Sequence, residues 1–227
     1  MENDEIELSA RELQKQIYRE RHLLWPDEEP PVLRMFNVET AVKILGLSMD
    51  RCDYLYWPLS DGSRGEVAGM VDREQKRISL SNKFRPTVIR FTGAHELGHY
   101  LIHKSELAFR DPPIEGVSRP GAPRPQIERE ADHFAASYLM QRFLVRKYFA
   151  ERFRQYTPFP FNYVTAMLLH SRDPIAILRE TDIYQRAVML AGATKFGSAT
   201  VVSLAELFQV SIQSMAIRLV ELELVKS

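Results

Sequence analysis

The sequence predicts an α+β fold: a small antiparallel sheet packed on one central helix, with a mainly helical C-terminal part. Three features predict it. Residues 91–103, FTGAHELGHYLIH, carry apolar positions at helical spacing. Just before them, residues 67–81 place two short apolar runs around the polar turn 72–76, the pattern of a β-hairpin. After them come helix-length apolar patterns separated by breaks rich in proline.

Taken in order, residues 9–25 read as a helix with Leu13, Ile17 and Leu24 along it. Ser9 and Glu12 form a capping box, and Pro26 ends the segment. Residues 37–47 give a second helix with Val38, Ala41, Val42 and Leu45 inward, closed by Gly46 and Ser48. Residues 61–66, DGSRGE, are a turn or loop. The hairpin follows; an edge of such a sheet can hold an extended peptide through main-chain hydrogen bonds. In the next helix Thr92 is placed as N-cap, and Leu97, Tyr100 and Leu101 form its apolar stripe. Residues 109–126 hold five prolines and two glycines and read as an irregular connector. A helix begins near Ile127 and is expected to continue through Phe153. TPFPFN breaks it, and residues 163–169 and 173–189 are helical, the latter starting at Asp173-Pro174.

Composition bounds the function. Lys+Arg and Asp+Glu are both 30, so net charge gives no pull toward nucleic acid or membrane. With 45% hydrophobic residues in 227, the chain can bury a core without disulfides, and its one cysteine, Cys52, fits a reducing compartment. The start, MENDEIELSARE, is acidic and unlike a secretory leader, and no apolar run is long enough to span a bilayer. The expected location is the cytoplasm, with no membrane partner.

The chemistry sits in the central helix. His95 and His99 are four residues apart, so both imidazoles lie on one face, with roughly 5–6 Å between their Cβ atoms. Two nitrogens so placed can share a Zn²⁺ ion. Glu96 follows the first histidine and projects beside the metal, where a general base would take a proton from a zinc-bound water. A catalytic zinc needs a third protein ligand and an open position. Glu128 and Asp132 are one turn apart on the next helix. Glu128 can ligate, while Asp132 can accept a hydrogen bond from the far nitrogen of a ligand histidine and so fix its tautomer. Glu130 is the rival ligand, but it lies about 160° around the helix from Asp132.

AHELGHYLIH, followed by E-x-x-A-D-x-F-A-A from Glu128 to Ala136 and preceded by a hairpin ending in ISLS, resembles the ImmA/IrrE family of zinc metallopeptidases. The likeness covers roughly residues 65–140 and returns at the C-terminus. It implies a zincin-like core in which His95, His99 and Glu128 hold Zn²⁺ and Glu96 is catalytic. It also implies a protein substrate, a repressor or transcription regulator. Where the family usually carries Pro after Leu-Met, this chain has Gln141, and some fifty residues separate the core from the family-like tail.

The expected organisation is therefore a metallopeptidase core with N-terminal helices over 1–140, a helical insertion over 141–192 and a helix-turn-helix-like module over 193–227. His103, His133 and Tyr138 are candidates to stabilise the transition state. Residues 142–154 interleave basic and aromatic residues, either a docking surface or an amphipathic helix with a solvated face. The tail has helix-turn-helix spacing, yet Gln209 stands where the turn usually takes Gly, and the segment is net acidic, which disfavours DNA. The expected activity is zinc-dependent endopeptidase. The alternatives are a non-proteolytic regulator that uses the zinc fold as a structural or sensing module, and a metal-dependent hydrolase acting on other bonds.

Overall fold

The computed structural model describes residues 1–58, 64–103, 110–111, 125–154, 156–170 and 172–226. The chain divides into two compact units, Met1–Leu139 and Met140–Ser227.

The first unit opens with α1 (Asn3–Arg19), which starts well ahead of Ser9. The Glu5 carboxylate accepts the Glu2 N–H at 3.2 Å, and Asp4 and Glu5 occupy the first turn, where the helix dipole favours negative charge. Ile6, Ala10, Leu13 and Ile17 form its buried stripe. The chain then turns at Glu20, so the second half of the expected helix is a separate short turn, α2 (Arg21–Leu24). After α3 (Val32–Met35) comes α4 (Val38–Ile44), capped by Asn37, whose side chain accepts the Thr40 N–H at 2.7 Å. It closes on Gly46 at φ +65°, with the Leu47 N–H reaching back to the Val42 carbonyl.

Strands β1 (Ser48–Cys52), β2 (Tyr56–Pro58), β3 (Arg64–Glu66), β4 (Gly69–Asp72) and β5 (Arg77–Ser81) follow. β4 and β5 are the expected hairpin, with Gly69 opposite Leu80 and Asp72 opposite Arg77. β2 and β3 pair as a separate antiparallel ribbon, so Arg64–Glu66 is strand rather than loop; residues 61–63 lie outside the described residues. β1 runs parallel to β5. The main sheet is therefore mixed, not antiparallel. A parallel neighbour needs a long return path, and the stretch carrying β2, β3 and β4 supplies it.

Next come α5 (Pro86–Ile102), β6 (Arg110–Asp111) and α6 (Gln126–Leu139). β6 pairs antiparallel with β4, giving the order β1-β5-β4-β6. Two residues of the proline-rich connector are thus strand; residues 109 and 112–124 lie outside the described residues. α5 starts at Pro86, whose fixed φ suits the first turn, and not at Thr92, which is buried inside the helix. Residues 91–99 are all buried, because α5 packs on β4 and β5 and is flanked by α1, α4 and α6. The end of α6 is held by α1, where the Gln14 side-chain amide donates to the Tyr138 carbonyl at 2.8 Å.

In the second unit, α7 (Arg142–Arg152) is distinct from α6, the chain breaking at Met140-Gln141. Leu144, Val145 and Phe149 are its buried face, while Arg142, Arg146 and Lys147 are exposed, the amphipathic arrangement. Arg146 donates to the Leu222 carbonyl at 2.8 Å. α8 (Tyr163–Leu169) and α9 (Pro174–Arg179) follow, capped by Asn162 and Asp173. α10 (Ile183–Gly192) starts anew at Asp182, so the expected helix over 173–189 is two. A β7 (Lys195–Phe196) and β8 (Ala199–Thr200) ribbon leads to α11 (Leu204–Leu207) and α12 (Ile212–Glu221). Phe153 sits among Phe149, Phe159 and Phe196, with ring centroids 4.8, 5.2 and 5.3 Å away.

Between α11 and α12 the Val210 N–H bonds back to the Ala205 carbonyl at 2.9 Å, and Gln209 takes φ +55°. The turn keeps its geometry without glycine. A left-handed non-glycine residue costs about 1–2 kcal/mol. Gln209→Gly should therefore raise stability by about 0.5–1 kcal/mol, after the extra freedom of glycine in the unfolded chain is deducted. Urea unfolding of the two proteins measures it. Residues 214–219 of α12 are all buried, and Arg218 is turned inward, its Nε donating to the Met140 carbonyl at 3.1 Å. Among the described residues, no helix is long and apolar enough to cross a membrane.

Candidate metal centre

α5 and α6 lie close enough to share side chains because Gly98 has no Cβ. A Cβ built there would stand 3.1 Å from Phe134 Cβ and 3.2 Å from the Ala131 backbone. Gly98→Ala should force the helices apart, costing about 1–3 kcal/mol as other overpacked core sites do. It should also weaken metal uptake, because it moves Glu128. Paired thermal melts, with and without metal, would show both effects.

Across this contact three donors converge. His95 Nε2 and His99 Nε2 are 2.9 Å apart, and Glu128 Oε2 is 3.2 Å from the first and 3.5 Å from the second. His95 and His99 are fully buried and Glu128 nearly so. These three form a group able to hold a metal ion. Bonds of about 2.0–2.1 Å to one tetrahedral ion give edges of about 3.3–3.4 Å, close to the spacings observed. The donor chemistry fits as well. Asp132 Oδ1 lies 3.0 Å from His95 Nδ1, placed to accept its proton, and a neutral ring so held presents the lone pair of Nε2 toward Glu128. Two acceptors facing one another are the setting a cation satisfies. Burial pushes His99 below the usual histidine value, outweighing the opposite pull of Glu128.

Glu96 is fully buried on α5. Its side chain lies along β4 at Gly69, where a Cβ would meet Thr92 Cγ2 at 2.5 Å and Glu96 Oε1 at 3.0 Å. The strand can come this close to the glutamate only with glycine there.

The three candidates for transition-state stabilisation fare differently. Tyr138 is fully buried, and its hydroxyl donates to the Asn37 carbonyl at 2.8 Å. That bond ties α6 to the start of α4, and burial pushes the phenol pKa far up. His133 is half-buried and sits on α6 outside the donor group. His103 ends α5 with its Nδ1 2.9 Å from His99 Nδ1 and its Nε2 3.0 Å from Glu130 Oε2. Both of its nitrogens thus face protein groups. Glu130, set aside as a ligand because of its face, reaches this histidine instead.

Arg73, in the hairpin turn, was not singled out by the sequence. Its guanidinium donates to the carbonyls of Tyr100, at 2.7 Å, and of His99 and His103, closing the C-terminus of α5. The only hint was a cation in the turn just before the helix, which does not say where it points.

The model of the Peptidase M78 family, the IrrE N-terminal-like domain, matches residues 60–220, more than half of the chain. The chain belongs to the ImmA/IrrE family. Family membership implies a metallopeptidase-type domain, and the His95–His99–Glu128 group lies within the matched residues. No curated protein matches the sequence.

Proposed function

We propose that this family member is a zinc-dependent endopeptidase of the cytoplasm that cuts a protein substrate, a repressor or transcription regulator. The observation that carries the reading is the convergence of His95, His99 and Glu128, with Glu96 buried on the same helix as the two histidines. Two imidazoles and one carboxylate are the donor set of a catalytic zinc with a position left open. When bound there, zinc would polarise a substrate carbonyl and acidify water.

The protein's own groups do the rest. Asp132 orients His95 and holds its proton on Nδ1. Glu96, as general base, takes a proton from the attacking water and hands it to the departing amine nitrogen, so one carboxylate serves both half-reactions. Its burial between α5 and Gly69 keeps it in one place. The burial of α12 and the inward turn of Arg218 leave few phosphate-reaching groups on that helix, which supports a packing or protein-contact role for the tail over DNA binding.

The test is direct. Purified protein is loaded with Zn²⁺ and incubated with transcription regulators encoded beside it. A discrete cut, abolished by a chelator and restored by zinc, is the expected result. Metal uptake with every regulator left intact would remove the peptidase assignment and leave the non-proteolytic regulator.

A further inference from the structure

We propose that His103 and Glu130 form a proton-ordered relay that positions His99 for the metal, a pairing that acts on the second histidine as Asp132 acts on the first. The inference rests on the zinc reading above and extends it beyond the donors.

His99 Nε2 faces the donor group, 2.9 Å from His95 Nε2 and 3.5 Å from Glu128 Oε2. To ligate, it must present a lone pair, so the single proton of the neutral ring sits on Nδ1. That nitrogen is 2.9 Å from His103 Nδ1. His99 is then the donor, and His103 Nδ1 must accept. The proton of His103 is accordingly on Nε2, which donates to Glu130 Oε2 at 3.0 Å. With His99 ligating, this placement of protons satisfies each of the contacts just named. Glu130 itself is held by its other oxygen, which accepts from Gln126 Nε2 at 2.9 Å. His103 is in turn fixed at the helix end, where Arg73 binds its carbonyl. The relay spans α5 and α6, so both histidines of the donor group are oriented by acids of the same second helix. This assigns His103 to positioning rather than to contact with a transition state, since both of its nitrogens face protein groups.

The experiment measures zinc affinity by competition with a chromophoric chelator, independently of any cleavage. His103→Ala and Glu130→Ala should each weaken zinc binding, the first by about 10–100-fold as loss of a supporting group does. Glu130→Gln keeps an oxygen that can accept from His103 Nε2 and should restore most of the affinity lost in Glu130→Ala. The double variant should be no weaker than His103→Ala alone, because Glu130 acts only through His103. If His103→Ala does not fold, the Glu130→Ala and Glu130→Gln pair carries the test. Unchanged zinc affinity in the Ala variants overturns the relay, as does a double variant that loses the product of both single effects. Failure of the unaltered protein to bind zinc is a different result, and overturns the metal reading itself.

Discussion

Glu96→Gln is expected to bind zinc with the affinity of the unaltered protein and to lose its cleavage activity by about 10²–10⁴-fold, the usual worth of a positioned general base. The amide has nearly the shape of the carboxylate, so it fits the same buried site against Gly69 and Thr92. It cannot take up a proton. Glu96 is not among the three converging donors, so the metal should not notice the change. The measurement is single-turnover cleavage of the identified regulator, paired with zinc titration of the same sample. Cleavage at an undiminished rate would remove Glu96 from the mechanism. Loss of zinc together with activity would make Glu96 a structural or ligand residue instead.

The second large effect is expected of Glu128→Ala. Of the three converging donors among the described residues, this residue supplies the one that does not come from α5. Without it the two imidazoles remain, both on one helix, and an ion is held by that helix alone. Zinc affinity should fall by more than the about 100-fold upper end for loss of a supporting group. The melting temperature in excess zinc should drop to that of the metal-free protein, because an ion that does not bind adds nothing to the folded state. Calorimetry with and without chelator checks both. An unchanged zinc dissociation constant would move the third ligand elsewhere.

What the sequence disclosed depended on distance along the chain. The His95–Glu96–His99 spacing is local, and helical geometry alone puts both rings on one side. Asp132 was legible because it stands one turn from Glu128, and a ligand histidine needs an acceptor for its second nitrogen. The hairpin of β4 and β5 announced itself through its polar turn. The contacts that escaped join residues far apart. Glu130 was set aside as a ligand by its angle from Asp132, but no angle around one helix shows that His103 waits at the end of another. Tyr138 carries a group capable of catalysis, and only the fold reveals that Asn37 already receives its proton. Thr92 has the chemistry of a cap, yet the helix begins six residues earlier at Pro86, whose fixed φ is itself a start signal. The parallel direction of β1 was hidden because strand direction is set by the path between strands and not by the residues within them. Gln209 shows the opposite error: glycine is the cheapest left-handed residue, and its absence did not prevent the turn.

The pairing of β6 with β4 has a consequence for how a polypeptide could approach. Gly69 and Met70 are flanked on both sides by strands of the same chain, Arg110 and Asp111 occupying the side away from β5. A visiting segment that sought to lengthen the sheet at this strand would find the berth taken by two residues. It could dock there only by exchange, its own amides replacing theirs one for one.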